Sequence, residues 1–398
     1  MHISSHPKVN VLLSLLIISS GCLALFISAK LGVHAASPLI SLSPNHGHPS
    51  LSLKVIGTSF GVNEIVSISF DAMPVGTTTT NSTGVFTTKI TIPSSAHPGN
   101  HTIQATGQSS GFFAQALFLV QTDWTMFGFS VQGSHFNPYE NVLDSSNVSN
   151  LTLDWKYTTG DTIVSSPAVV NGVVYIGSDD GNIYAFNAAT GALLWSYSTG
   201  FGSYCRCVNS SPAVAKGIVY VGAGDGKLYA LNATTGSLIW TYAAGDAVQT
   251  AVTVVNDVVY FGSNDDNLYA VNATTGARLW SFAHGIMINT PPAVANGVAY
   301  FGTDDGIMYA FKATTGTLLW SYSTKVAFDS LAVANGVVYA GAYNNGSGLY
   351  AFNAKKGTVL WTYPDIYGFT STVVVNGVIY VGSYDHNIYA FHLPGMTP

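Results

Sequence analysis

The sequence predicts an all-β protein in two folded regions, a small β-sandwich followed by a ring of six four-stranded antiparallel sheets. Three observations carry that prediction. Only 8% of the 398 residues are Asp, Glu, Lys or Arg, against 41 Gly, 22 Tyr and 20 Phe, which is a composition of strands and tight turns rather than of ion-paired helices. Short apolar/polar alternations recur between residues 38 and 121. From residue 152 a block of about 40 residues repeats itself. The net charge of −6 provides no basic surface for phosphates, so a nucleic-acid partner is not expected.

Residues 1–35 read as an export signal or a membrane anchor. Val9 to Ala29 carry no charge, Lys8 and Lys30 flank them, and Val33-His34-Ala35 is a small-x-small site before Ala36. An uncleaved span is the alternative, since the apolar stretch approaches membrane thickness. A lipid-anchor reading of Ser19-Ser20-Gly21-Cys22 is disfavoured by Ser19 and by the apolar run beyond Cys22. Each reading places the remaining chain outside the cytoplasm, secreted or at the cell surface.

Residues 38–121 alternate with period two, with Val66, Ile68 and Phe70 on one face and Ser67 and Ser69 on the other. Phe86 to Ile92, His101 to Ala105 and Ala114 to Val120 complete a set of short strands, the size of a sandwich. Gly57-Thr58-Ser59-Phe60-Gly61 matches a nucleophile elbow, but that motif requires a helix to follow and a strand follows here. The segment resembles the immunoglobulin-like or IPT-like modules of exported bacterial proteins, which implies a spacer or adhesion role. Residues 122–150 form a lead-in, and His46 and His48 read as linker.

The repeats occupy 151–398. Tryptophans fall at 155, 195, 240, 280, 320 and 361, and each copy carries a turn followed by an aromatic, as in Asn171-Gly172 before Tyr175. One copy reads as four strands, Val164 to Val170, Val173 to Gly177, Ile183 to Asn187 and Ala192 to Tyr197, joined by short turns in which Asn-Gly and Asp-Gly accept positive φ. That unit is a propeller blade. The sixth copy supplies three strands, and Leu151 to Tyr157 matches the missing fourth, so ring closure by that segment is expected.

The third turn of each copy resembles the tryptophan-docking motif of pyrroloquinoline-quinone (PQQ) propellers, Ala-x-Asp/Asn-x-x-Thr-Gly-x-x-x-Trp. The first copy has Ala185, Asn187, Thr190, Gly191 and Trp195; the fourth has Lys312 in the Asn position, and the fifth Lys356 in place of Thr. The resemblance covers about 240 residues and implies a six-bladed PQQ-like β-propeller in which Trp155, Trp195, Trp240, Trp280, Trp320 and Trp361 are structural. Quinoprotein alcohol dehydrogenases and the non-catalytic propeller of outer-membrane assembly share the motif, so it implies fold and not activity.

Chemistry-bearing residues are few. Both Glu residues, Glu64 and Glu140, precede the repeats, and the repeat aspartates recur at Asp-Gly hairpins. Calcium requires carboxylate-rich oxygen sites, so neither PQQ nor calcium is expected. The adjacent-cysteine disulfide implied by the family is absent. An insertion in the second copy, Phe201 to Cys207, holds Tyr204, Cys205, Arg206 and Cys207; its two cysteines are a disulfide candidate. Alignment of the inner strands gives a row of Ser165, Ser210, Thr250, Thr290, Asp329 and Thr370, preceded by Val164, Asn209, Gln249, Asn289, Phe328 and Phe369. Asn209, Gln249, Asn289 and Asp329 with the cysteine loop form the candidate ligand rim. The histidines, among them His284, His386 and His392, form no catalytic constellation. The expectation is a monomeric, non-enzymatic scaffold for protein or glycan partners, with a PQQ-dependent dehydrogenase as the alternative.

Overall fold

The computed structural model describes residues 37–398 except 130–136, 144–146, 201–204, 206, 289, 343–347, 365–368, 376–377, 384–386 and 393–398. The predicted leader at 1–35 lies outside the described residues. Among those described, no helix is long and apolar enough to cross a membrane.

Residues 39–120 form two sheets. One has three strands, Leu39–Ser43, Ser52–Thr58 and Phe86–Thr91; the other has five, from His46–Gly47, Ile65–Phe70, Met73–Thr79, Gly99–Gly107 and Phe113–Val120. Their inward faces share one core around Val55, Val66, Ile68, Ile103 and Phe118. Burial alternates along Ile65–Phe70 as the sequence pattern requires. His46 and His48 are not linker. His46 pairs with Leu119 in the five-stranded sheet, and the His48 ring stacks on Tyr139 at 3.9 Å.

The lead-in joins the two regions by crossing inner strands of the blades. Trp124 exchanges backbone hydrogen bonds with Val169 of the first blade, and Val214 N of the second donates to Thr125 O at 2.7 Å. Met126 is buried against Tyr220, Val252 and Val254. Gln121 Nε2 donates to Asn171 Oδ1 at 2.9 Å, and Asn171 N donates to Asp123 Oδ1 at 3.0 Å. Among the described residues, the lead-in therefore meets the inner strands of the first three blades, with its side-chain bonds at the hairpin joining first and second strands.

Five four-stranded antiparallel sheets and one three-stranded sheet follow. In the first blade the strands are Ala168–Val170, Val173–Gly177, Asn182–Asn187 and Leu193–Ser198. The inner strand is shorter than the sequence pattern implies. Pro167 has no N–H for a ladder, and Ser166 N bonds the Ser211 hydroxyl of the next blade. The fifth blade's inner strand runs the full length, Phe328–Ala334, whereas the third blade's is as short as the first's, Thr253–Val255, although Val252 stands in the place of Pro167, so proline alone does not set the length. Asn171 and Gly172 take φ of 51° and 72°, the two positive values of a type I′ hairpin.

A bulge opposite the third strand accompanies Trp195, Trp240, Trp280, Trp320 and Trp361. Ala185 pairs with Trp195 and Phe186 with Leu193, leaving Leu194 extra, and the added residue turns the indole towards the neighbouring blade. Trp155, Trp195, Trp240, Trp280 and Trp320 donate Nε1–H to Ala188, Ala233, Ala273, Ala313 and Ala354 carbonyls at 2.9 to 3.1 Å. For the four tryptophans carried on blades each carbonyl belongs to the following blade, and Trp155 docks on the first. Four of these carbonyls accept a second bond from a second-strand tyrosine, Tyr175, Tyr220, Tyr260 or Tyr300.

Ring closure differs from expectation. Residues 151–157 form no strand, with Leu151 62% and Leu153 78% exposed. Among the described residues the sixth sheet has three strands. Trp155 anchors the segment to the first blade's turn, while the edge that would receive it, Ile388–Phe391, is four residues long against six in the first four blades' third strands. Fewer ladder bonds are therefore on offer there.

Candidate functional site

The candidate rim lies at the end of the inner strands opposite the hairpin that joins first and second strands. Its small hydroxyls act as structural clasps. Ser165 Oγ donates to Gly177 O and accepts from Gly177 N, both at 2.9 Å. Thr250 makes the same clasp with Gly262, and Thr290 with Gly302. Each hydroxyl ties the start of an inner strand to the end of its neighbour, replacing ladder bonds that the short strand lacks.

In the fifth blade Ser330 pairs with Gly341, the glycine equivalent to Gly302. Ser330 therefore holds the place of Thr290, and Asp329 moves one position into the row of Asn209 and Gln249. Counted from the preceding tryptophan, Ser330 falls where Thr290 and Thr250 do, because the fifth blade has one residue fewer between Trp320 and Asn335 than the fourth has between Trp280 and Asn296; Asp329 is the residue left over at the bulge between Phe328 and Ser330. Burial first, then the Asp304 carboxylate, holds the Asp329 carboxyl above its ordinary range.

The predicted rim resolves into local groups. Cys205 and Cys207 are bonded to each other. Gln249 Nε2 lies 3.8 Å from both sulfurs, and Asn264 Nδ2 donates to Gln249 Oε1 at 3.3 Å. Asp329 belongs with Asp304. Asn209 Oδ1 and Asp179 Oδ1 are buried without a hydrogen-bond partner, and burial, followed by Asp161 and Asp180, raises the Asp179 carboxyl. Tyr204, Arg206 and Asn289 lie outside the described residues, as does the side chain of Thr370.

At the same end, aspartates of the turn between the second and third strands clasp tyrosines. Tyr184, Tyr229 and Tyr269 donate their hydroxyls to Asp180, Asp225 and Asp265 at 2.6 to 2.7 Å. Asp180 and Asp265 also accept the backbone N–H of Gly160 and Gly245. Burial, aided by Asp180, pushes the Tyr184 hydroxyl up to about 12. In the fourth blade His284 sits between the partners, with Nε2 3.0 Å from both Asp305 oxygens and Nδ1 3.0 Å from Tyr309 Oη. Sequence reasoning explained these aspartates by hairpin chemistry alone; the tyrosine four residues after Asp180, Asp225 and Asp265 was the signal that could have found the clasps.

Two family models match the repeats. Residues 202–394 match outer membrane protein assembly factor BamB, and residues 124–252 match the β-propeller domain of glucose/ethanol/alcohol dehydrogenases. The repeat region is a PQQ-like β-propeller. Solved structures agree on the fold. BamB from Moraxella catarrhalis superposes with a TM-score of 0.53 at 22% identity, over 62% of this chain and 78% of that one. Quinohemoprotein alcohol dehydrogenase from Comamonas testosteroni gives 0.58 at 17% identity, over 65% and 57%. Over 120 residues the PQQ-like propeller is 30% identical to the Comamonas testosteroni enzyme sequence, 28% of this chain and 17% of that protein. Over 78 residues it is 37% identical to lupanine 17-hydroxylase of a Pseudomonas species, 19% and 11%. The chain thus matches less than a fifth of the length of these curated relatives.

Proposed function

We propose that the chain is an exported, non-enzymatic scaffold whose PQQ-like propeller offers the rim around Gln249, Asn209 and Asp329 to a protein or glycan at the cell surface. The sandwich serves as an immunoglobulin-like spacer. The observation that carries this reading is the commitment of the blade carboxylates: Asp180, Asp225 and Asp265 are held by tyrosines, and Asp305 is held by His284. Among the described residues no three His, Cys, Asp or Glu are grouped to hold a metal. The rim offers amides, a disulfide and a carboxyl that burial biases towards its neutral form, a donor set that does not fit calcium beside a quinone. Similarity to an outer-membrane assembly factor supports export and a scaffold role.

A quinone-dependent dehydrogenase is the second reading, favoured by the match of residues 124–252 to a dehydrogenase propeller model. One experiment separates the two. Purified protein is mixed with PQQ and Ca²⁺ and assayed for dye reduction with alcohols and sugars, while retention on envelope material is compared with that of Gln249→Ala and Asp329→Ala. The scaffold reading expects no dye reduction and retention that the substitutions abolish. Dye reduction at a stoichiometric cofactor load would replace it.

A further inference from the structure

The second blade differs from the others in two places that meet. It carries the insertion ending at Cys207, and it has Gly224 where the first, third and fourth blades have Asp179, Asn264 and Asp304. The equivalence is structural: Gly224 N donates to Cys207 O as Asp179 N does to Thr162 O and Asn264 N to Ala247 O. A Cβ on Gly224 would lie 2.8 Å from Cys205 O and Sγ and 2.9 Å from Cys207 Sγ. Its φ is not in the left-handed region, so the disulfide's volume, and not backbone conformation, excludes a side chain there. The third blade completes the setting, with Gln249 Nε2 3.8 Å from each sulfur and Gln249 oriented by Asn264.

This setting is poorly explained as a staple. The bond closes a loop of only two residues' separation, which removes little chain entropy from the unfolded state, and Cys207 is already held by Gly224. The two cysteines are also unequally buried. Cys207 is 3% exposed, whereas Cys205 is half-buried at the rim.

We infer that Cys205 and Cys207 form a thiol–disulfide exchange centre acting on thiols of small molecules or proteins outside the cytoplasm. A partner thiolate attacks Sγ of Cys205, the less buried residue of the two, the Cys205–Cys207 bond breaks, and its electron pair leaves on Cys207 Sγ. The Gln249 amide donates to that developing thiolate, which then takes a proton from water. A second partner thiolate attacks the partner sulfur of the mixed disulfide and releases Cys205 as a thiol. Two thiols become one disulfide outside the chain, and two electrons and two protons are gained by the cysteine pair.

The test uses the full chain with Cys22→Ser, so that only this pair reports. Native protein is equilibrated with mixtures of reduced and oxidised glutathione, quenched with an alkylating agent, and read by mass. The expected result is a reduced fraction that follows the glutathione ratio while circular dichroism stays native. Cys207→Ser should capture glutathione on Cys205 many-fold faster than Cys205→Ser captures it on Cys207, and Gln249→Leu should slow exchange and shift its pH profile upward. A pair that stays oxidised in native protein at every ratio, and yields only in denaturant, overturns the inference. Equal capture rates for the two single variants would also overturn it.

Discussion

Tyr260 and Trp280 donate to the same carbonyl oxygen, that of Ala313 in the following blade, at 3.0 and 2.9 Å. A carbonyl has two lone pairs, and here both are used by side chains of one neighbour. Trp280→Ala removes a buried indole and should cost about 3 to 5 kcal/mol as a large-to-small change. Tyr260→Phe should cost only about 0.5 to 1.5 kcal/mol, because Trp280 still satisfies the carbonyl. Combining Tyr260→Phe with Trp280→Phe leaves that buried oxygen unpaired, so the double variant should lose more than the sum of the singles. Urea unfolding midpoints of these variants would test this, and additive losses would contradict the shared-acceptor account.

The turn beneath that indole imposes its own constraint. Gly316 has φ of 67°, and a Cβ there would lie 2.7 Å from Trp280 ring carbons. Gly316→Ala therefore combines left-handed strain of about 1 to 2 kcal/mol with displacement of the ring. Near-ultraviolet circular dichroism should weaken together with thermal stability, whereas Gly297→Ala, with a similar φ of 77° and open space around it, should lose stability and leave the indole signal unchanged.

In the sandwich Glu64 is only 4% exposed, yet it receives backbone N–H bonds from Gly61, Ser109 and Ser110 and a hydroxyl bond from Ser110. Burial alone would raise its pKa; the bonds from Ser110, Gly61 and Ser109 outweigh it and the net shift is downward from the ordinary 4.5. A lowered folded value stabilises the fold above the unfolded pKa, and that stability is lost as pH falls from about 4.5 through the folded value. Acid unfolding of the sandwich should show this dependence. Glu64→Gln should be less stable at pH 7 and should flatten the acid limb; an unchanged limb would count against the account.

Asp329 should behave in the opposite sense. Its carboxyl is raised by burial and then by Asp304, so ionisation costs stability as pH climbs through the ordinary 3.8 and beyond. Asp329→Asn should raise the melting temperature at pH 7 and leave it nearly unchanged at pH 3. A gain of equal size at both values would point to packing instead of charge.

Much of the architecture was legible because each blade repeats a local rule. The hairpin at Asn171-Gly172 requires two positive φ angles and carries the residues that tolerate them. The spacing of tryptophans reports the blade period directly. What remained hidden depends on register or on distance along the chain. Asp329 was misplaced because alignment on the hairpins overlooks the residue the fifth blade lacks between Trp320 and Asn335, and Gln249 reaches Cys205 only because consecutive blades are adjacent, 44 residues apart in sequence. The second bond to Ala313 was equally invisible, since nothing local to Tyr260 names an acceptor 53 residues away. The missing pairing of residues 151–157 shows that a matching pattern needs a receiving edge of matching length.

The crossing of Trp124, Thr125 and Met126 over the inner strands gives an otherwise near-symmetric wheel a front and a back. On the first three blades one side carries the chain's own polypeptide, and the cysteine pair and Gln249 stand at the opposite end of the inner strands. The tether that joins the two regions is thus also what makes the wheel one-sided.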